Sequence, residues 1–458
     1  MTNGSILFHS TNRSVPKVDL RGALLQGQAA DKGLFMPDTV PPLSPQDLAG
    51  LVGKSYPEIA WFVLRRFTAG VISDDRLRDL CNDAYNYDVP LERVDGRRHL
   101  MRLDRGPTAS FKDFAARMMA RWMGVLMEGG KDDLVILTAT SGDTGSAVAH
   151  AYHGVPRVES VVLFPIAEVS NRQRRQMTTL GGNVTTFGVD GKFDDCQAMV
   201  KRAFADPDLS GISMSSANSI NIGRLLPQSV YYVYAYVRLA DVGAMEPIVF
   251  SVPSGNFGDM MGAVLARRMG LPISRIVIAT NANDEVPKFF ETGRYEKIVP
   301  SRVCISNAMN VGHPSNLARL VEAYGGWMDE TGDLKEMPAM DRLRRDFHAV
   351  SIPDDETRET IKSAWRQYRA VLEPHGAVGW AGLLRYLSGP GAPAGALAVS
   401  IETAHPAKFP EEIQSLLGID PELPPSLAGI EAKPETYGRL TTDYEPFRRE
   451  LKQRYLRG

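Results

Sequence analysis

The chain has 458 residues, 43% of them hydrophobic and 23% charged, with a formal net charge of -2. That length suits two or three domains with substantial cores, and the near-neutral balance excludes a globally basic binder of nucleic acid or of an anionic membrane surface. Three widely spaced cysteines, Cys81, Cys196 and Cys304, argue against a disulfide framework and against a zinc site, and they suit a reducing cytoplasm.

The opening Met1-Thr2-Asn3-Gly4-Ser5 has no basic stretch followed by an apolar one, so no secretory signal is expected. No apolar run is long enough to span a bilayer. Residues 1–95 read as mostly helical. Tyr56-Pro57-Glu58-Ile59 starts a largely apolar helix with proline in its first turn, and Ser73-Asp74-Asp75 is an N-cap with an acidic first turn. This part carries no evident chemistry and is expected to cap a catalytic body.

Next comes Gly106-Pro107-Thr108-Ala109-Ser110-Phe111-Lys112-Asp113-Phe114. The Gly-Pro breaker followed by an alanine- and methionine-rich run places Lys112 near a helix start. Between two aromatics its ammonium can be desolvated, which lowers its pKa and frees an amine nucleophile; a solvated surface charge is the bland alternative. From about residue 100 short aliphatic runs alternate with helices. Strands are expected at Leu134-Val135-Ile136-Leu137, Val158–Phe164, Ile248–Val252, Ile276–Thr280 and Ala396–Ile401. Continuous apolar strands alternating with helices predict parallel α/β sheets covered on both faces, with ligands off the carboxyl ends of the strands.

Two of the loops there look like anion cradles. Thr138-Ala139-Thr140-Ser141-Gly142-Asp143-Thr144-Gly145 and Pro253-Ser254-Gly255-Asn256-Phe257-Gly258 each join a strand to a helix through small residues that expose backbone N–H groups. Neither is a Walker loop or a Gly-x-Gly-x-x-Gly fingerprint, and together they suggest two separate anions. A third loop, Glu402-Thr403-Ala404-His405-Pro406-Ala407-Lys408, offers the Thr403 hydroxyl; His405, before proline in a turn, reads as structural rather than catalytic. Asn221 and Arg224 stand three apart, so one helical turn would put both on one face, where the arginine could clamp a carboxylate or phosphate. Residues 386–396 read as a flexible connector, and 330–345 and 440–458 as charged, solvated helical faces.

The lysine motif at 106–114, the segments 140–147, 254–259 and 402–409, and the opening Leu24-Leu25-Gln26-Gly27-Gln28 through Phe35-Met36-Pro37 together resemble the threonine synthase family, in order and over nearly the whole chain. The likeness is nearest the longer bacterial and fungal type. It implies the tryptophan-synthase-like fold type II of pyridoxal-phosphate enzymes, with a helical N-terminal domain over 1–95, an α/β domain over 96–230 and a second over 231–458. By motif position Lys112 would hold pyridoxal 5'-phosphate as a Schiff base, and Ser254, Gly255, Asn256, Phe257 and Gly258 would bind its phosphate. Asp143 would lie beside the ring hydroxyl. Thr403 would face the ring nitrogen, where a neutral hydroxyl leaves the ring less cationic than a carboxylate would. Ser110, Thr140, Ser141, Thr144, Asn221 and Arg224 would serve the substrate's carboxylate and phosphate. Two departures are small: Ser254 stands where threonine is common, and Asn12 interrupts a usual Ser-Thr-Arg.

The implied reaction turns O-phospho-L-homoserine and water into L-threonine and phosphate, the last step of threonine biosynthesis, in a cytoplasmic monomer or homodimer. No metal, nucleic acid or membrane partner is expected. The alternatives are a threonine-synthase-like phospho-lyase or an amino-acid dehydratase of the same fold, and, at some distance, a silent homologue acting as a binding protein.

Overall fold

Two parallel sheets carry the molecule, seen in a computed structural model that describes residues 5–130 and 132–456. The reading of the chain start rests on Met1 to Gly4, which lie outside the described residues. One sheet has six strands, in the order Phe347–Ser351, Ile273–Thr280, Ile248–Pro253, Leu397–Glu402, Arg98–Arg102, Leu91–Asp95; only the last pair is antiparallel. The other has five parallel strands, in the order Gly438–Leu440, Val184–Val189, Val158–Pro165, Leu134–Ala139, Met214–Ser216. Leu134–Ala139, Ile248–Pro253 and Leu397–Glu402 are buried at every position, as central strands covered by helices on both faces must be. The five expected strands are all present.

Sheet membership does not follow the chain boundaries expected at 95/96 and 230/231. Arg98–Arg102 pairs with Leu397–Glu402, and Gly438–Leu440 pairs with Val184–Val189. The first and last stretches of the α/β region thus each cross to the other sheet, a pairing that no local pattern encodes. The run 330–345 is helical only from Met340; before it Trp327–Met328 and Leu334–Glu336 form a small antiparallel pair. The helix Pro374–Ser388 shortens the connector expected at 386–396 to the residues after it.

The N-terminal region holds four helices and a two-stranded ribbon. Tyr56–Thr68 begins with a capping box between Ser55 and Glu58, and Asp74–Ala84 begins with Ser73 accepting from the Arg76 N–H. Both helices pack toward the helix Lys112–Met127. Tyr56 meets Tyr85 and Phe114 edge-on at ring distances of 5.0 and 5.3 Å, and the Tyr85 hydroxyl donates to the Phe114 carbonyl at 3.1 Å. One continuous apolar core runs from these helices into both sheets. The N-terminal region therefore braces the element that presents Lys112.

Candidate active site

Strands Ile248–Pro253 and Leu397–Glu402 are neighbours in one sheet, so the 254–258 loop and Thr403 emerge side by side. Strand Leu134–Ala139 brings the 140–145 loop to them from the other sheet. Between lies a cavity of about 470 Å³ lined, among others, by Lys112, Thr140, Ser141, Asp143, Thr144, Arg224, Ser254 to Gly258 and Thr403. The two loops read as anion cradles thus open into one space.

Lys112 begins its helix, and the turn before it is pinned from two sides. Asp113 accepts from the Thr108 N–H at 2.8 Å and from the Thr108 hydroxyl at 2.7 Å. The Phe111 N–H donates to the Thr403 carbonyl at 2.8 Å and the His405 N–H to the Ala109 carbonyl at 3.0 Å. The Lys112 ammonium sits 4.7 Å from the centre of the Phe111 ring and 4.0 Å from Asp143 Oδ2. Burial lowers its pKa; Asp143 opposes that, while Lys408 and Arg224 add to it. Such a lysine is closer to a free amine than a surface lysine is.

Asp143 is paired with Lys408 at 2.5 Å and accepts from Gln173 Nε2 at 3.0 Å. Burial by itself would raise its pKa, but the Lys408 and Lys112 ammonium groups override this and hold it well below the usual carboxylate range. Gly142 before it has φ 133°, and a Cβ there would come within 2.5 Å of the Gln173 amide, so only glycine fits. Thr140 Oγ1 accepts from the Gly142 and Gly145 N–H groups at 2.9 and 2.7 Å, which leaves its hydrogen to be donated into the cavity.

The 254–258 loop ends at the helix Gly258–Arg268 with Phe257 in the left-handed region at φ 63°. Among the described residues the N–H groups of Gly255, Asn256 and Phe257 have no protein partner, the signature of a cradle made for an anion. Arg224 is buried, donates to the Ala217 carbonyl at 2.6 Å, and leaves its Nε unpartnered. No carboxylate pairs with it among the described residues, and burial lowers its pKa to about 10. A buried guanidinium without a counter-ion in a cavity wall can bind an anion there.

Two expected site residues do not line the cavity. The Asn221 side chain caps the short helix Ile222–Leu225, accepting from the Gly223 N–H and donating to the Leu24 and Ser216 carbonyls at 2.9 and 3.0 Å. As an N-cap, Asn221 spends its amide on backbone groups, whereas the Arg224 guanidinium reaches the cavity wall. Ser110 is fully buried in a bridge to Ala404, its Oγ without a partner. His405 is structural, as read: Nδ1 accepts from the Ala407 N–H at 3.1 Å, and burial lowers its pKa to about 4.

Other residues escaped the sequence reading. Lys408 and Gln173 hold Asp143, yet nothing in their spacing links them to it. His375, Asn218, Gln228 and Asp259 line the cavity, and residues 300–311 form part of its wall. Asp259 accepts from the Tyr231 and Tyr232 hydroxyls at 2.5 and 2.6 Å, and burial lifts its pKa to about 6 against those donors and Lys112. Its place directly after Gly258 was the only signal.

Three family profiles match the chain: "Pyridoxal-phosphate dependent enzyme" over residues 89–401, "Threonine synthase N terminus" over 7–85 and "Threonine synthase, C-terminal" over 376–449. Threonine synthase of Haemophilus influenzae is 36% identical over 438 residues, covering 95% of this chain and 97% of that protein. Threonine synthase of Escherichia coli is 36% identical over 434 residues, covering 94% and 96%. A crystal structure of PLP-bound threonine synthase from Brucella melitensis superposes with a TM-score of 0.91 at 34% identity, covering 98% of this chain and 100% of that one. With a cavity that pairs a desolvated lysine with two anion cradles, and with matches that span both ends and the middle, the chain belongs to the threonine synthase family of pyridoxal-phosphate-dependent enzymes.

Proposed function

We propose that the chain converts O-phospho-L-homoserine and water into L-threonine and inorganic phosphate in this cavity. The observation that carries the proposal is the pair of anion sites flanking Lys112: the free N–H groups at 255–257 on one side, and on the other the buried Arg224 guanidinium with its Nε unpartnered. A cofactor phosphate and a substrate phosphate need one each.

The residues present fit pyridoxal phosphate. Ser254 to Gly258 would hold its phosphate, Lys112 its aldehyde carbon, Asp143 would lie beside its ring hydroxyl and Thr403 would face its ring nitrogen. The bound cofactor supplies an electron sink for a carbanion next to the substrate's α-carbon. The Lys112 amine, its pKa lowered by burial, would take the proton from Cα; a second proton then leaves Cβ, the electrons left there expel the γ-phosphate, and a proton returns to Cγ. Arg224 would bind the γ-phosphate and keep hold of it as the Cγ–O bond breaks, helped by hydroxyl hydrogens of Thr140, Ser141 and Thr144. Exclusion of bulk water until one water adds at Cβ would keep the intermediate from hydrolysing to an oxoacid. Three free, buried cysteines are consistent with the cytoplasm, where we place the reaction.

The test is to incubate cofactor-loaded protein with O-phospho-L-homoserine and quantify threonine and phosphate together, beside a Lys112→Ala control. Equal yields, absent from the control, are expected. Phosphate with 2-oxobutyrate and little threonine would overturn the proposal in favour of a phospho-lyase.

A further inference from the structure

Arg319 stands on the helix Leu317–Ala323 and is fully buried, yet no carboxylate pairs with it among the described residues. Its hydrogen bonds all go to neutral oxygens. Nε donates to the Phe35 carbonyl at 3.2 Å, Nη1 to the Ser219 carbonyl and to Asn316 Oδ1 at 3.0 and 2.6 Å, and Nη2 to the Ile220 carbonyl at 2.7 Å. Burial lowers its pKa to about 9, which still leaves the guanidinium charged at neutral pH. Carbonyl dipoles solvate such a charge but do not neutralise it. The guanidinium also settles which way the Asn316 amide turns. With Oδ1 occupied by an Arg319 N–H, Nδ2 faces the Asn256 carbonyl, to which it donates at 2.8 Å.

Asn256 belongs to the 254–258 cradle, and its carbonyl shares a peptide group with the Phe257 N–H. A trans peptide is planar, with its C=O and N–H pointing in opposite directions. Held at the oxygen by Asn316, this one turns the Phe257 N–H away from Asn316, where it has no protein partner among the described residues. Guanidinium, side-chain amide and peptide thus form one head-to-tail chain of hydrogen bonds in which each link polarises the next, and its open end is a cradle donor. We propose that Arg319, acting through Asn316, is a positioning residue for the cofactor phosphate: it aims the Phe257 N–H at that anion, and the anion supplies the negative charge that the buried guanidinium lacks. This rests on the functional reading above and deepens it by naming what stands behind the cradle. The Ser315 N–H, donating to Asn256 Oδ1 at 3.4 Å, holds the same residue by its side chain. The Phe35 contact gives the N-terminal region a share in the cofactor site, because Phe35–Pro37 is a strand of its ribbon.

The test compares pyridoxal phosphate with pyridoxal, which lacks the phosphate, as ligands of the cofactor-free full chain, read by absorbance titration. Wild type should prefer the phosphate ester. In Arg319→Met that preference, the ratio of the two dissociation constants, should fall by about tenfold or more. Damage to the fold alone would weaken both ligands together and leave the ratio where it was. Asn316→Asp is the second variant. It gives Arg319 a carboxylate partner and removes the donor to Asn256, so the preference should fall by a similar factor although the guanidinium stays. A ratio equal to that of wild type in either variant overturns the proposal; should Arg319→Met fail to fold, Asn316→Asp decides. Wild type without any preference for the phosphate ester overturns the placing of the cofactor phosphate at 254–258 instead.

Discussion

Arg224 and Asn221 stand three residues apart and have opposite work to do. Arg224 lines the cavity with an unpartnered Nε, whereas Asn221 spends its side chain on the Leu24 and Ser216 carbonyls and the Gly223 N–H. Arg224→Lys keeps the charge but loses the planar fork, so KM for the phosphorylated substrate should rise about tenfold or more in steady-state assays with a small change in melting temperature. Asn221→Ala orphans two buried carbonyls and should cost about 1–3 kcal/mol in denaturant unfolding while KM barely moves. A large KM effect at Asn221 would return it to the substrate site. Asp259 makes a prediction about pH. Its pKa rises from 3.8 in the usual carboxyl to about 6 in the folded protein, so folding favours its protonated form. That contribution is complete below the unfolded value and is lost as pH rises through the folded one. Asn cannot ionise, so cofactor-free Asp259→Asn should gain up to about 3 kcal/mol on wild type between about pH 4 and pH 7. Urea titrations at both ends of that range would check it; a gain equal at both pH values would refute it.

At the scale of elements, the cofactor cradle depends on how near one loop lies to another. A Cβ at Gly255 would lie 3.0 Å from both the Ala308 carbonyl oxygen and Met309 Cα. Both are backbone, so the 304–311 wall must move rather than a side chain swing away. Gly255→Ala should weaken cofactor binding by about tenfold or more, read by titrating the cofactor-free protein. Unaltered affinity would mean that the wall is looser than this packing implies. The same wall hangs on buried amides: Asn281 Nδ2 donates to Ser306 Oγ and to Asn310 Oδ1 at 3.2 and 3.0 Å, and Asn283 Oδ1 accepts from the Arg302 N–H at 2.7 Å. These bonds anchor an irregular segment to the carboxyl end of Ile273–Thr280, where loops carry function on a rigid scaffold.

Across the whole molecule, the two sheets exchange chain. The C-terminal strand Gly438–Leu440 and helix Tyr444–Tyr455 complete the five-stranded sheet, burying Leu440, Tyr444, Phe447 and Leu451 against Phe187, Cys196 and Met199. Burial of those four side chains is worth about 6 kcal/mol or more, comparable to the whole stability of an ordinary domain. Deleting residues 437–458 should therefore prevent stable folding of that sheet and abolish activity, although none of the described residues among them lines the cavity. Circular dichroism and thermal melting of the truncated chain would check this. A truncated chain that melts like the full one would refute it.

Much of this protein was legible before any coordinates. Strand runs such as Leu134–Leu137 and Ile248–Val252 announce themselves because a strand buried on both faces must be apolar throughout. The lysine after a Gly-Pro turn and the glycine loops after strands are local features, and their chemistry follows from their own backbone and neighbours. Thr140, Ser141, Asp143, Thr144, Arg224, Ser254 to Gly258 and Thr403 do meet around Lys112. What local pattern could not carry is partnership across the chain. Lys408 against Asp143, Gln173 against Gly142, Asn316 behind Asn256 and Arg98–Arg102 beside Leu397–Glu402 join residues tens to hundreds of positions apart. Asn221 was misread for the same reason: spacing gives a helix face, but the Leu24 carbonyl waiting from another element decides where an amide turns. Periodicity and turn chemistry are short-range properties of the chain, whereas the pairing of buried polar groups is a property of the packed whole.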